Sequence, residues 1–143
     1  MGYTHYWKIE KSTSTKNWNK FSETCKKLHD NLPKEIEIVN GAGQAGTKPV
    51  FNDSEVRFNG VNELGHETFA IYKNELRDFD FCKTAQKPYD LLVCACLIAA
   101  HKYLKLDISS DGNVNDWMPA FKYYEGVMGL KMAVKSYKSF LKE

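Results

Sequence analysis

The stretch Leu91-Leu92-Val93-Cys94-Ala95-Cys96-Leu97-Ile98-Ala99-Ala100 is apolar at every position and follows Pro88, a residue suited to the first turn of a helix. A helix with no polar stripe cannot lie on a surface. It must be covered on all sides, so the rest of the chain has to supply layers around it. Ten apolar residues are about half of what spans a bilayer, and the run lies far from the N-terminus where a leader would sit. The reading is therefore a buried central helix over 88–104 in a soluble protein that stays in the cytoplasm.

Periodicity supplies the covering layers. Tyr3, His5, Trp7 and Ile9 alternate on one face of a first strand, and Trp18, Phe21, Cys25, Leu28 and Leu32 recur at helical steps after the cap candidates Ser12 to Thr15. Between residues 35 and 81 the pattern shortens to strand-like runs at 35–39, 55–59, 68–72 and 79–81. A further strand is predicted at 106–109, then a helix capped by Asn115 or Asp116 and broken at Gly126 and Gly129. A last helix from Leu130 is predicted to place Leu130, Val134, Tyr137 and Leu141 on one face and Lys131, Lys135, Lys138 and Lys142 on another. This order predicts one α+β domain over 1–143. Its architecture is a layer sandwich of mixed or mainly antiparallel sheet with a buried central helix and C-terminal helices.

With 43% hydrophobic and 27% charged residues, 143 positions suffice for one core. The net charge of +2 gives no whole-molecule field for nucleic acid or anionic lipid, and the lysines of the last helix read as a solvated face. Cys25, Cys82, Cys94 and Cys96 have no paired zinc spacing, and Cys94 and Cys96 point about 200° apart on a helix. No metal and no cofactor are expected. Eight tyrosines, eight phenylalanines and three tryptophans leave material for a self-interface, which favours a homodimer.

Several motifs carry chemistry. Gly41-Ala42-Gly43-Gln44-Ala45-Gly46 matches a dinucleotide string, but Thr47-Lys48-Pro49-Val50-Phe51 follows where a helix should open, so a mobile loop able to cover a ligand is the reading. His5 reads as a hydrogen-bonded core histidine, and His66 beside Glu67 as a turn histidine in preference to an acid–base pair. Cys82 beside Lys83 is the one cysteine near a cationic loop, where its thiol pKa would fall. Ser109 to Gly112 reads as a turn before a capped helix. The segment Lys83-Thr84-Ala85-Gln86-Lys87-Pro88-Tyr89-Asp90 combines two ammonium groups, a hydroxyl and the start of the central helix, a setting that favours an anion.

Taken together, Met1-Gly2-Tyr3-Thr4-His5-Tyr6-Trp7, Phe58-Asn59-Gly60, Gly65-His66-Glu67-Thr68-Phe69, Phe81-Cys82-Lys83-Thr84-Ala85, Lys87-Pro88-Tyr89-Asp90 and Ser110-Asp111-Gly112 with Trp117 resemble a group of small uncharacterised proteins of tailed bacteriophages and prophages. The resemblance spans roughly the first 117 residues and brings no assigned activity. It implies an accessory phage product in the bacterial cytoplasm, of a kind that counters host defence.

The leading expectation is a non-enzymatic binder of a small anionic, nucleotide-like ligand. Its site would comprise Asn59, His66, Lys83, Thr84, Lys87, Tyr89, Asp90 and Asp111, with the two lysines on a phosphate and Tyr89 stacked on a base. One alternative is an inhibitor or adaptor of a host protein, using Tyr123 or Tyr124 and the last helix. The other is a small hydrolase or transferase built on His66, Glu67 or Cys82.

Overall fold

The computed structural model describes residues 3–142. Along the chain the elements are β1 (Thr4–Ile9), α1 (Thr15–Asp30), β2 (Ile38–Val39), β3 (Val50–Phe51), β4 (Glu55–Gly60), β5 (Phe69–Tyr72), β6 (Arg77–Lys83), α2 (Asp90–Leu104), β7 (Ile108–Ser110), α3 (Val114–Met128) and α4 (Val134–Phe140). The α+β class is as expected, and every named strand pair is antiparallel. One sheet has the order β6-β1-β7; the other runs β2-β4-β3, with β5 also on β4.

The apolar run does become the central helix. From Leu92 to Ala100 every residue of α2 is buried; the helix packs on α1 and α3 and shares one core with Phe21, Cys25 and Leu28 of α1 and Trp117 and Phe121 of α3. Fully burying a side chain of the Val, Leu or Ile class contributes about 1.5–3 kcal/mol, so Leu92, Val93, Leu97 and Ile98 together contribute about 6–12 kcal/mol. No helix among the described residues is long and apolar enough to cross a membrane.

Caps fix where the helices begin. Ser14 accepts from the Asn17 amide to open α1, and Asn113 with Asp116 forms a reciprocal capping box on α3. The expected cap at Asn115 or Asp116 is thus corrected to Asn113, with Asp116 as the reciprocal partner in the first turn. Gly126 does not interrupt α3, which ends at the left-handed Gly129.

Two further expectations change. The run 35–39 is extended only at Ile38–Val39, because the Ile36 amide closes a turn on the Pro33 carbonyl. The last helix starts at Val134, which rephases it. Tyr137 and Phe140 become its buried face against Phe121 and Trp117, while Leu130 and Val134 are exposed.

Strand register sets up everything that follows. His5 stands opposite Ser110 on one side and Cys82 on the other, and all three belong to the sheet face turned towards α2. The next residue, Tyr6, stands opposite Phe81 and Ser109 on the outer face.

Candidate functional site

Between β1, β7 and the first turn of α2 lies a polar cluster in an otherwise apolar interior. The His5 ring, with no exposed surface, bridges Ser110 Oγ at 2.7 Å through Nδ1 and Asp90 Oδ1 at 2.7 Å through Nε2. Asp90 is an acceptor, so Nε2 carries the proton and Nδ1 accepts from the Ser110 hydroxyl, whose oxygen in turn accepts from the Gly112 amide at 2.9 Å. The buried Thr84 hydroxyl donates to the same Asp90 oxygen at 2.6 Å. Cys94 lies one turn along α2 from Asp90, with its sulfur 3.5 Å from Oδ2 and 3.4 Å from His5 Nε2.

Aromatic rings wall this cluster. Tyr3 and Trp117 meet the imidazole edge-on at centroid distances of 5.1 and 5.0 Å. Burial, with Cys94 and Asp90 nearby, pushes the Tyr3 hydroxyl above its ordinary pKa. Burial likewise pushes the Cys94 thiol well up, so the sulfur is a protonated, unreactive group in the protein as folded.

The cluster opens to solvent through a cleft of about 250 Å³ lined by Tyr3, Gln86, Lys87, Asp90, Cys94 and Asp116. Larger depressions exist, one of about 510 Å³ between α2 and α4 and one of about 310 Å³ beside Lys8 and Ser12. Neither these nor a third of about 420 Å³ beside Lys20 and Lys102 is backed by a network of hydrogen-bonded, buried polar side chains among the described residues, so chemistry rather than volume singles out the smaller cleft. No protein-family model, curated protein or solved structure matches the chain.

The expected seat for an anion at the head of α2 is not there. The amides of Asp90 and Leu91 donate to Lys87 and Pro88, and those of Leu92 and Val93 both donate to Tyr89, so the helix opens on a closed turn. Ala85 and Gln86, both left-handed, shape that turn. Asp90 itself sits at the positive end of the helix dipole and already supplies the negative charge it favours.

The residues named from sequence part into three groups. Thr84, Lys87 and Asp90 come together at the cleft or just behind it. Asn59 and His66 form a separate lock: the buried Asn59 amide donates to the carbonyls of Gly41 and His66 at 3.2 and 3.0 Å, and its oxygen accepts from the amides of Gly60 and His66 at 2.8 and 3.1 Å. A Cβ at Gly65 would lie 2.3 Å from the Gly60 carbonyl oxygen, so this close approach excludes any other residue there.

Lys83, Tyr89 and Asp111 serve the backbone. The Lys83 amide donates to Glu67 at 2.6 Å, and Lys83 does not line the cleft. Tyr89 is fully buried with its hydroxyl on the Glu67 carbonyl at 2.7 Å, so its ring offers no face to a base. Asp111 accepts from the Thr4 amide and the Tyr6 hydroxyl on the outer side of the sheet.

Other sequence readings resolve similarly. The loop 41–46 is tied down: Asn40 bonds Gln44 twice, Thr47 closes on Asn40 and Gln44, and Asn62 donates to the Gly43 carbonyl. Cys82 is buried, and desolvation raises its thiol pKa, the opposite of the lowering expected from Lys83. The site residues that sequence reasoning missed are Ser110, Cys94 and the full role of His5. The four-residue spacing of Asp90 and Cys94 on one helix was the available signal.

Proposed function

We propose that this protein binds a small polar ligand bearing N–H or O–H donors in the cleft at the head of α2, with Asp90 as its anchor. One observation carries the reading. Asp90 Oδ1 is held by His5 and Thr84, whereas among the described residues Oδ2 has only a thiol at 3.5 Å and belongs to a side chain 21% exposed on the cleft. A carboxylate fixed on one oxygen and under-used on the other is a preorganised acceptor.

The charge of the cleft refines the ligand class. Among the described residues, Asp90 and Asp116 face a single ammonium, Lys87, so hydroxyl or amino groups are favoured over a phosphate. A nucleoside sugar or a small amine satisfies this better than a nucleotide's phosphates. In the setting implied by the resemblance to phage proteins, such a binder would sequester a small molecule made by the host.

Thermal shift with nucleosides, nucleotides, aminosugars and polyamines tests the reading. Ligand at a hundredfold excess over its dissociation constant stabilises by about 2.7 kcal/mol, a shift of several degrees. The shift is expected with donor-rich ligands and lost in Asp90→Asn, with circular dichroism confirming that the variant folds; Asp116→Asn, at the rim, weakens it. No shift with any donor-rich ligand refutes the reading. A shift confined to phosphate compounds and lost in Lys87→Ala restores the anion.

A second reading rests on a different observation. Leu76, Phe79 and Phe81 are 56%, 61% and 47% exposed on or beside the edge strand β6, and Phe79 stacks on Phe81 and Tyr6. A hydrophobic patch left exposed on the outer face of an edge strand is a site for another protein. This replaces the aromatics expected from sequence: Tyr124 is buried and Tyr123 donates to the Leu28 carbonyl. Loss of partner capture in Phe79→Ser but not in Asp90→Asn would favour this reading over the first.

A further inference from the structure

The geometry points to a divalent transition-metal site of the zinc class formed by His5 Nε2, Asp90 Oδ2 and Cys94 Sγ, with its remaining coordination position open to the α2 cleft. The inference rests on the reading that this cleft is the functional site, but it requires no organic ligand.

Three donor atoms of different chemistry lie within 4.8 Å of one another. Bonds of about 2.0–2.3 Å at tetrahedral angles place neighbouring donors about 3.3–3.6 Å apart. Sulfur to Nε2 is 3.4 Å and sulfur to Oδ2 is 3.5 Å, so two edges of the tetrahedron already have the required length. The short His5–Asp90 contact, 2.7 Å, is to Oδ1, the other carboxylate oxygen, and carries the imidazole proton. A cation on Nε2 displaces that hydrogen bond: the imidazole proton moves to Nδ1, where the Ser110 hydroxyl oxygen accepts it, and the carboxylate presents Oδ2 to the metal.

The supporting contacts are those a metal centre needs. A ligating imidazole normally gives its other N–H to a fixed acceptor, and Ser110 Oγ stands 2.7 Å from Nδ1. The ligating carboxylate has the Thr84 hydroxyl on its other oxygen at 2.6 Å. Asp90 and Cys94 both line the cleft, which leaves the fourth position facing Tyr3, Gln86, Lys87 and Asp116. Three protein ligands with a position open to solvent is the arrangement of reactive zinc sites rather than closed structural ones. Mixed sulfur, nitrogen and oxygen donors suit zinc or cobalt and disfavour magnesium and calcium.

The buried thiol is not an obstacle. A dication at this point deprotonates a coordinating thiol outright, and its proton leaves to solvent as the sulfur–metal bond forms.

Cobalt(II) added to chelator-stripped protein is the probe. The expected result is one equivalent bound, with intense visible bands of a four-coordinate ion and a thiolate-to-cobalt charge-transfer band in the near ultraviolet. That band should vanish in Cys94→Ala and persist in Cys82→Ala, and zinc should displace cobalt stoichiometrically. Asp90→Asn should lower zinc affinity at least tenfold with the fold retained by circular dichroism, which keeps the test valid should Cys94→Ala not fold. Absence of uptake, a six-coordinate spectrum, or a charge-transfer band that survives Cys94→Ala overturns the site. Thermal shifts by donor-rich ligands in the presence of chelator report on the cleft separately. A failed cobalt titration beside a positive ligand shift removes the metal alone.

Discussion

Replacing Asn59 by alanine separates a structural lock from a ligand contact. The side chain makes four hydrogen bonds, all to backbone, and is 5% exposed. Truncation leaves the Gly60 and His66 amides and the His66 carbonyl short of a partner, while the Gly41 carbonyl retains the Thr68 hydroxyl. Each lost bond in a buried site costs about 1 kcal/mol net and more where the orphaned group stays dry, so three such groups give roughly 3–4 kcal/mol. Against a total of about 5–15 kcal/mol for a domain, that is a large fraction.

Urea denaturation followed by tryptophan fluorescence checks this. With a slope of roughly 2 kcal/mol per molar, the midpoint should fall by about 1.5–2 M with the slope unchanged. Asn59→Asp should be at least as damaging, because it keeps the acceptors but turns a carboxylate oxygen towards two carbonyls at 3.2 and 3.0 Å. Amide exchange at His66 should lose protection in both variants. A destabilisation of Asn59→Ala below about 1 kcal/mol would refute the lock and return Asn59 to the list of ligand contacts.

Other perturbations follow from particular contacts. Among the described residues the buried Tyr124 hydroxyl has no partner, so Tyr124→Phe should stabilise by about 1 kcal/mol and raise the melting temperature by roughly 3 °C; a lower melting temperature contradicts this. Glu125 accepts from Tyr137 and from the Met132 amide, and these bonds hold its carboxyl below the usual range. A lowered acid contributes stability that is complete above its unfolded value of about 4.3 and lost as pH falls through the folded value. Glu125→Gln should therefore flatten the acid limb of α4 undocking, measured by near-ultraviolet circular dichroism; an unchanged acid limb refutes the assignment. Phe79→Ser and Phe81→Ser should change stability by only about 0.5 kcal/mol each while reducing association in sedimentation velocity. Cys82 and Cys94, both with raised thiol pKa values, should resist alkylation in the folded protein, and rapid labelling of either by mass spectrometry contradicts their burial.

How much of the fold was legible depended on whether the signal was local. The run 91–100 announced a covered helix because nothing in it tolerates water, and α1 announced itself through Trp18, Phe21, Cys25 and Leu28. Elements whose phase depends on tertiary contacts were misread. Lys131 to Ala133 fit a helical pattern, yet Glu125 takes the Met132 amide before that helix begins and the Tyr137 hydroxyl within it, and the buried face shifts to Tyr137 and Phe140. The strand at 35–39 failed for a similar reason: Pro33 offers a carbonyl that Ile36 reaches first.

The site was less legible because its members meet through register. His5 lies 85 residues from Asp90 and 105 from Ser110, and only the pairing of β1 with β7 makes Ser110 its neighbour. Helix geometry keeps Cys94 and Cys96 apart, whereas Cys94 and Asp90, one helical turn from each other, share a side of α2 and meet His5 there. The sign of the cleft was misjudged on the same ground. Lys83 and Lys87 are four apart, but Lys83 is the last residue of β6 and the chain then turns through left-handed Ala85 and Gln86, so only Lys87 reaches the cleft. That turn also spends the helix amides on its own carbonyls. A segment that reads as cationic along the sequence thus presents one ammonium against Asp90 and Asp116, and on that balance of charge rests the proposal of a donor-bearing ligand in place of a phosphate.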